Sequence, residues 1–133
     1  MSEITTGAVN HMALTVTDLE RARDFYVQVL GFQFVTEFGP KYLLSNGELI
    51  LALNLAPDPG QAISGDRFSE NRVGLDHVSF NVGSLAALES ARERLDELNV
   101  PHGEIKDLGD LGIKVLAFRD PDNIQLELTA AKA

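Results

Sequence analysis

Hydrophobic and polar positions follow the same order twice along the chain. Residues 11–19 and 77–85 each alternate apolar and polar side chains and then break at polar residues. A segment with apolar residues at three- and four-residue spacing follows each break, which indicates an amphipathic helix. Further alternating runs come after each helix. The pattern therefore predicts one strand, one helix and three strands, in that order and twice over.

The repeat is also visible in the residues themselves. Matching side chains recur 66 residues apart at four places: His11/His77, Leu14/Phe80, Val16/Val82 and Leu19/Leu85. We therefore predict one domain over residues 1–133, with module one at about residues 8–55 and module two at about 74–130. Residues 56–73 are rich in Pro, Gly and Asp, and are predicted to form a linker or lid loop.

Turn and capping signals set the predicted boundaries. Thr17 begins the Thr-x-x-Glu spacing of a capping box, and Ser84 is placed to cap the second helix. Gly31 follows the first helix and Pro101 the second, and both residue types stop helices. The later strands are predicted at residues 32–38, 41–46, 48–55, 100–105, 112–118 and 124–128.

Composition and charge narrow the class of protein. The 133 residues are 44% hydrophobic and 23% charged, which suits one globular domain. Twenty acidic against eleven basic residues give a net charge of −9, so we expect no nucleic-acid or membrane partner. The absence of cysteine excludes disulfides and thiolate ligands. No secretion signal or membrane-spanning run is evident, so we expect a cytoplasmic protein.

One face of the predicted sheets is polar. Because strand side chains alternate between faces, the large apolar residues of each strand fall together and belong under the helices. The opposite face receives His11, His77 and Glu127 with small or polar neighbours, which suits the lining of a cavity. The lining residues predicted beside these three are Ala13, Thr15, Ala52, Ser79, Asn81 and Gln125.

Two histidines and one carboxylate on a shared face suit a divalent metal ion with open coordination positions. Fe, Mn, Ni, Co and Zn all accept such ligands, and the sequence leaves the choice among them open. Ala52 aligns with Glu127 when the modules are superimposed, so three ligands are predicted and not four. The third histidine, His102, follows Pro101 in a turn and is predicted to be a surface residue.

Three runs carry a family resemblance: NHMALTVTDLERARDFYVQVLGF, GLDHVSFNVGSLAALESARERL and VLAFRDPDNIQLEL. They resemble the vicinal oxygen chelate superfamily over about residues 9–128. That superfamily includes glyoxalase I, extradiol ring-cleaving dioxygenases, fosfomycin-resistance transferases and bleomycin-binding proteins. The resemblance implies an α+β fold of two tandem βαβββ modules that curl around a pocket. It also implies a homodimer, often with each site shared between two chains.

Carried over by position, the resemblance makes His11, His77 and Glu127 the metal ligands. Open positions on the ion would chelate adjacent oxygens of a small-molecule substrate, with Glu127 or metal-bound hydroxide as the base. Ala52 stands where bacterial glyoxalase I has a fourth, carboxylate ligand, which argues against lactoylglutathione lyase activity. We therefore expect a divalent-metal-dependent enzyme of the isomerase, lyase or dioxygenase type.

The alternative is a binding protein that sequesters a hydrophobic natural product and so confers antibiotic resistance, as bleomycin-binding proteins do. No clear acid–base residue stands out in the sequence, Tyr42 being an unplaced candidate. Small side chains at Ala13, Ala52 and Ser79 leave room for a large ligand. In this hypothesis the His and Glu side chains are polar contacts to that ligand, which would be recovered unmodified.

Overall fold

The computed structural model describes residues 3–133. It contains two compact units, one ending at Ala62 and the other beginning at Ile63. Each unit consists of a four-stranded sheet and one α-helix in the order βαβββ, so the predicted α+β fold is confirmed. Both sheets are open and neither closes into a barrel. Among residues 3–133, no helix is long and apolar enough to cross a membrane.

The elements of unit one are β1 (His11–Thr15), α1 (Leu19–Gln28), β2 (Gln33–Phe38), β3 (Lys41–Ser45) and β4 (Ile50–Asn54). The strand order is β1-β4-β3-β2, in which β1 and β4 pair parallel and the other neighbours pair antiparallel. Asp18 caps α1 by accepting a hydrogen bond from the backbone N–H of Arg21. The prediction of Thr17 as the cap was wrong by one residue, because the helix begins at Leu19. The Thr17 hydroxyl instead accepts a hydrogen bond from the Arg21 guanidinium.

The elements of unit two are β5 (Val78–Asn81), α2 (Leu85–Glu97), β6 (Lys106–Asp107), β7 (Ile113–Arg119) and β8 (Gln125–Ala131). Its sheet repeats the topology of unit one, in the order β5-β8-β7-β6. Ser84 caps α2 as predicted, accepting a bond from the N–H of Ala87. The strand predicted at residues 100–105 was wrong. Pro101 has no N–H to donate, and only an isolated bridge from His102 to Phe118 forms there.

Equivalent strands pair in the same register within each of the two sheets. Ala13 lies beside Ala52 in unit one, and Ser79 lies beside Glu127 in unit two. Ala52 therefore occupies the position in sheet one that Glu127 occupies in sheet two, as the alignment of the modules predicts.

Each sheet buries the face that its helix covers. Leu51 and Leu53 of β4 and Leu126 of β8 are fully buried, whereas alternate residues on β1 and β5 stay exposed. The largest fully buried side chains are Tyr26, Leu44, Leu51, Leu53, Leu88, Leu116, Phe118 and Leu126. This division leaves the second face of each sheet free for other contacts.

The edge strand β2 is irregular. Its pairing with β3 shifts between Phe34 and Thr36, so Val35 is an extra residue in a β-bulge. All six residues of β2 are exposed. Tyr42 of β3 packs edge-on against Phe34, and the Arg23 guanidinium of α1 lies 5.5 Å from its ring centroid. The acid–base candidate Tyr42 is thus placed on the helix side of the sheet.

Candidate metal centre

Two of the three predicted ligands lie together in unit two. His77 immediately precedes β5, Glu127 lies on the neighbouring β8, and His77 Nε2 is 3.6 Å from Glu127 Oε1. The Glu127 side chain is only 17% exposed. A separation of 3.6 Å is too long for a hydrogen bond. Two ligands bound to one ion at about 2.1 Å lie about 3.0–3.6 Å apart, so the pair fits two neighbouring ligands.

A hydrogen bond determines which nitrogen of His77 could bind a metal. Nδ1 lies 2.7 Å from Oδ1 of Asp76. A carboxylate only accepts, so Nδ1 carries the proton and Nε2 of the neutral ring keeps its lone pair. His77 Nε2 and Glu127 Oε1 are therefore two electron-pair donors that face each other. A cation between them would stabilise this arrangement, and ligand histidines are usually held through their second nitrogen in this way.

His11 has the same arrangement in unit one. Its Nδ1 lies 2.7 Å from the side-chain oxygen of the preceding residue, Asn10. Because that oxygen also accepts, Nε2 of His11 keeps a lone pair as well. Within residues 3–133, no three His, Cys, Asp or Glu side chains gather into one metal-binding cluster. The structure thus pairs His77 with Glu127, and the full three-ligand set stays a prediction.

His102 is held by both ring nitrogens. Nε2 lies 2.5 Å from Oδ1 of Asp96 and Nδ1 lies 2.6 Å from the Gly103 carbonyl oxygen, and the protonated ring donates to both. Its side chain is 15% exposed, so the ring lies partly buried at the surface against Asp96 of α2. The Asp96 carboxylate, followed by the Gly103 carbonyl, raises the pKa of His102 above its ordinary value. Neither nitrogen is left for a metal.

We expect His102 to make the stability of the protein depend on pH. A raised folded-state pKa means that the charged ring stabilises the fold below the unfolded value of 6.5, and that this contribution is lost as pH rises through the folded pKa. The free energy of unfolding should therefore fall over that interval. In His102→Gln it should change much less. Urea unfolding at a series of pH values checks this, and equal pH slopes in the two proteins would contradict it.

The predicted lining residues lie on the strand faces away from the helices. Ala13, Thr15, Ser79 and Asn81 are exposed, and Ala52 is buried beside Ala13. The Ser79 hydroxyl is hydrogen-bonded to that of Thr129. Sheet two therefore carries charged and hydroxyl groups on this face, whereas sheet one carries mainly small side chains around His11. That these residues line one cavity stays a prediction.

A cleft of about 230 Å³ lies along residues 66–75 in unit two. Phe68 and the side chains of Arg67 and Arg72 contribute to its wall, and none of the predicted lining residues does. Its position falls at the end of the predicted linker or lid loop.

Near His77 lies a group of polar residues that the sequence pattern does not predict. Arg119 of β7 makes two bonds to the Glu70 carboxylate, at 2.8 and 2.9 Å, and these lower the pKa of Glu70 to about 2. No short motif marks a pair separated by 49 residues. Asp76 was also missed, although a signal for it exists. A residue with a side-chain oxygen, Asn10 or Asp76, precedes each repeated histidine.

The duplicated βαβββ fold, with a histidine at or just before the first strand of each unit, is of the vicinal oxygen chelate type. Residues 8–128 match the family model of the Glyoxalase/Bleomycin resistance protein/Dioxygenase superfamily. The chain belongs to that superfamily, which confirms the resemblance seen in the sequence.

Individual relatives match along almost the whole chain. The uncharacterized protein YwkD of Bacillus subtilis (strain 168) is 32% identical over 128 residues, covering 91% of this chain and 94% of its own. A lactoylglutathione lyase of Escherichia coli O157:H7 is 29% identical over 132 residues, covering 92% and 91%. The crystal structure of a glyoxylase/bleomycin resistance protein/dioxygenase domain from Frankia sp. EAN1pec has a TM-score of 0.79 and 30% identity, covering 96% and 93%.

Proposed function

We propose that the protein is a divalent-metal-dependent enzyme that acts on a small molecule with neighbouring oxygen atoms. His11, His77 and Glu127 are the proposed ligands. The observation that carries the proposal is the 3.6 Å approach of His77 Nε2 to Glu127 Oε1, because a neutral imidazole and a carboxylate at this separation can both donate electron pairs to one ion. His11, at the equivalent position in the repeat, has the same free Nε2.

The residues present fit a divalent ion. Two neutral imidazoles and one carboxylate suit Fe, Mn, Ni, Co or Zn and leave coordination positions for substrate. Such an ion, when bound, polarises the substrate oxygens. Asn10 and Asp76 hold the imidazoles, and Glu127 is the proposed base that takes a proton from the substrate. The lyase relative supports isomerase or lyase chemistry, although Ala52 supplies no fourth ligand.

We also propose that the protein acts as a homodimer. The family resemblance implies it, and the sheet edges support it. β1, which begins with His11, and β5, which follows His77, are edge strands within the described part of the chain. An edge strand offers unpaired backbone groups to a further strand. Pairing at these edges would bury the backbone next to both candidate histidines.

Elemental analysis of protein purified without chelator tests the metal site. Wild type is expected to hold about one ion per chain, and His77→Ala and His11→Ala are expected to lose most of it. His102→Gln is the matched control, because both nitrogens of His102 are already bound, and it should keep the metal. Metal retained in both alanine variants would overturn the proposal. So would a wild type that takes up none of the five ions.

Sequestration of a hydrophobic ligand is the second candidate, favoured by the adjacent small side chains of Ala13 and Ala52 on the face of sheet one that carries His11. Binding followed by extraction distinguishes the two functions. Quantitative recovery of unmodified compound from protein that holds no metal would favour sequestration. Formation of any product would count against it.

A further inference from the structure

The Asp76 carboxylate is hydrogen-bonded both to the His77 ring and to the Gln125 amide. Its Oδ1 accepts one bond from His77 Nδ1 at 2.7 Å and another from Gln125 Nε2 at 2.9 Å. The same amide group lies 3.2 Å from the Asp76 backbone carbonyl. The Asp76 side chain is 63% exposed, so packing alone would leave it free to rotate. The Gln125 amide therefore restricts Asp76, and through it the plane of the His77 ring.

The other end of Gln125 meets a second ion pair. Arg119 is the cross-strand neighbour of Gln125, and its Nη2 lies 3.5 Å from Gln125 Oε1. Both terminal nitrogens of Arg119 bind Glu70, and Nη1 also donates to the Asn123 carbonyl at 3.2 Å. A planar guanidinium held by a carboxylate fork has little freedom. The Arg119 guanidinium therefore restricts the orientation of the Gln125 amide beside it.

Unit one lacks this support. Among residues 3–133, the hydrogen-bond partner of the His11 ring is the neutral side-chain amide of Asn10. The residue beside His11 in the register is Ile50, at the position that Gln125 occupies in the repeat. An isoleucine cannot donate a hydrogen bond. The βαβββ fold thus forms without the contacts that surround His77, which indicates that they serve the histidine and not the module.

We propose that Asp76 and Gln125 are positioning residues that hold the His77 imidazole with its Nε2 toward Glu127, anchored by the Arg119–Glu70 pair. The proposal rests on the metal-dependent function and adds a difference between the two histidines. His77 has an anionic partner that Gln125 holds in place, whereas His11 has a neutral one.

The first experiment uses metal-free protein and so does not depend on metal binding. ¹H–¹⁵N NMR of the histidine side chains is expected to show His77 of wild type as a single tautomer with the proton on Nδ1. Asp76→Ala should give a mixture of tautomers. Asp76→Asn should keep the wild-type tautomer, because the amide oxygen accepts as Asn10 does for His11. Gln33→Ile, on the exposed strand β2, is the control for Gln125→Ile and should change nothing.

The second experiment measures Co(II) affinity from the visible absorption of the bound ion. Asp76→Ala and Gln125→Ile are each expected to weaken binding by about 10- to 100-fold, the usual effect of removing a ligand's hydrogen-bond partner. The double variant should bind about as weakly as Asp76→Ala alone, since Gln125 acts through Asp76. Arg119→Met should give a smaller loss, and Arg92→Met, which breaks the exposed pair with Glu89, should give none.

The outcomes separate this proposal from the function on which it rests. A wild type that binds no Co(II) refutes the metal function, and the tautomers of His77 still decide whether Asp76 positions the ring. Wild-type tautomer and affinity in both Asp76→Ala and Gln125→Ile would overturn the positioning role and leave the metal function standing. Fully additive losses in the double variant would also overturn it.

Discussion

Glu127→Gln is expected to bind metal at least about 100-fold more weakly than wild type, while the metal-free protein becomes more stable by up to about 1 kcal/mol. When His77 is neutral with its proton on Nδ1, the Glu127 carboxylate faces the lone pair of His77 Nε2 at 3.6 Å. A glutamine amide at the same place can donate a hydrogen bond to that lone pair. The substitution therefore replaces two facing acceptors by a donor and an acceptor, and removes the charge that a cation needs.

Isothermal titration with Co(II) and urea unfolding of the chelator-treated protein measure the two effects. Glu37→Gln, on the fully exposed strand β2, is the matched control and should change neither quantity. Opposite signs of the two effects are the signature of a residue retained for binding and not for stability. Unchanged affinity, or a loss of stability in the metal-free variant, would contradict this interpretation of Glu127.

Tyr26→Ala is expected to lower the free energy of unfolding by about 3–5 kcal/mol, a large part of the total for a small protein. The ring is fully buried and meets Phe25 and Phe32 edge-on, with centroids 5.2 and 6.1 Å away. Phe32 follows Gly31, whose φ of 72° turns the chain back at the end of α1. Tyr26 thus joins the helix to the strand that follows it.

Urea unfolding checks this prediction, with two variants to separate the causes. Tyr26→Phe keeps the ring and measures the hydroxyl alone. Phe38→Ala removes a ring that is 66% exposed, and should cost less than about 0.5 kcal/mol. A loss in Tyr26→Ala no larger than in Phe38→Ala would show that α1 does not depend on this packing.

The fold could be predicted from the sequence because its signals are local. Leu14 of β1 and Val16 just after it alternate with exposed residues, and Leu88 and Leu95 recur on one side of α2. Such periods follow from the geometry of strands and helices alone. The cap of α1 was missed because Thr17 and Asp18 are both capping residues. The choice between them depends on where the first turn packs.

The contacts of the candidate site could be predicted only in part. The alternation of side chains along a strand predicted that His77 and Glu127 share one face of the sheet. The Glu70–Arg119 pair and the Asp96–His102 bond depend on tertiary structure and have no such local signal. Asn123 shows the same limit. It adopts a φ of 66°, for which glycine is the usual residue, and its side chain donates to the Phe68 carbonyl 55 residues away. That bond gives asparagine a role at this turn beyond that of a glycine substitute.

The bulge at Val35 has a consequence for aggregation. A bulged strand is a poor template for another strand, and a two-residue strand offers almost no ladder. In unit one the outer edge at β2 carries the bulge, and in unit two the outer edge at β6 is only two residues long. Each sheet can therefore be extended well at one edge only. A single sheet that accepts a strand at one edge only ends after that addition, so neither sheet by itself templates a continuous ladder of strands.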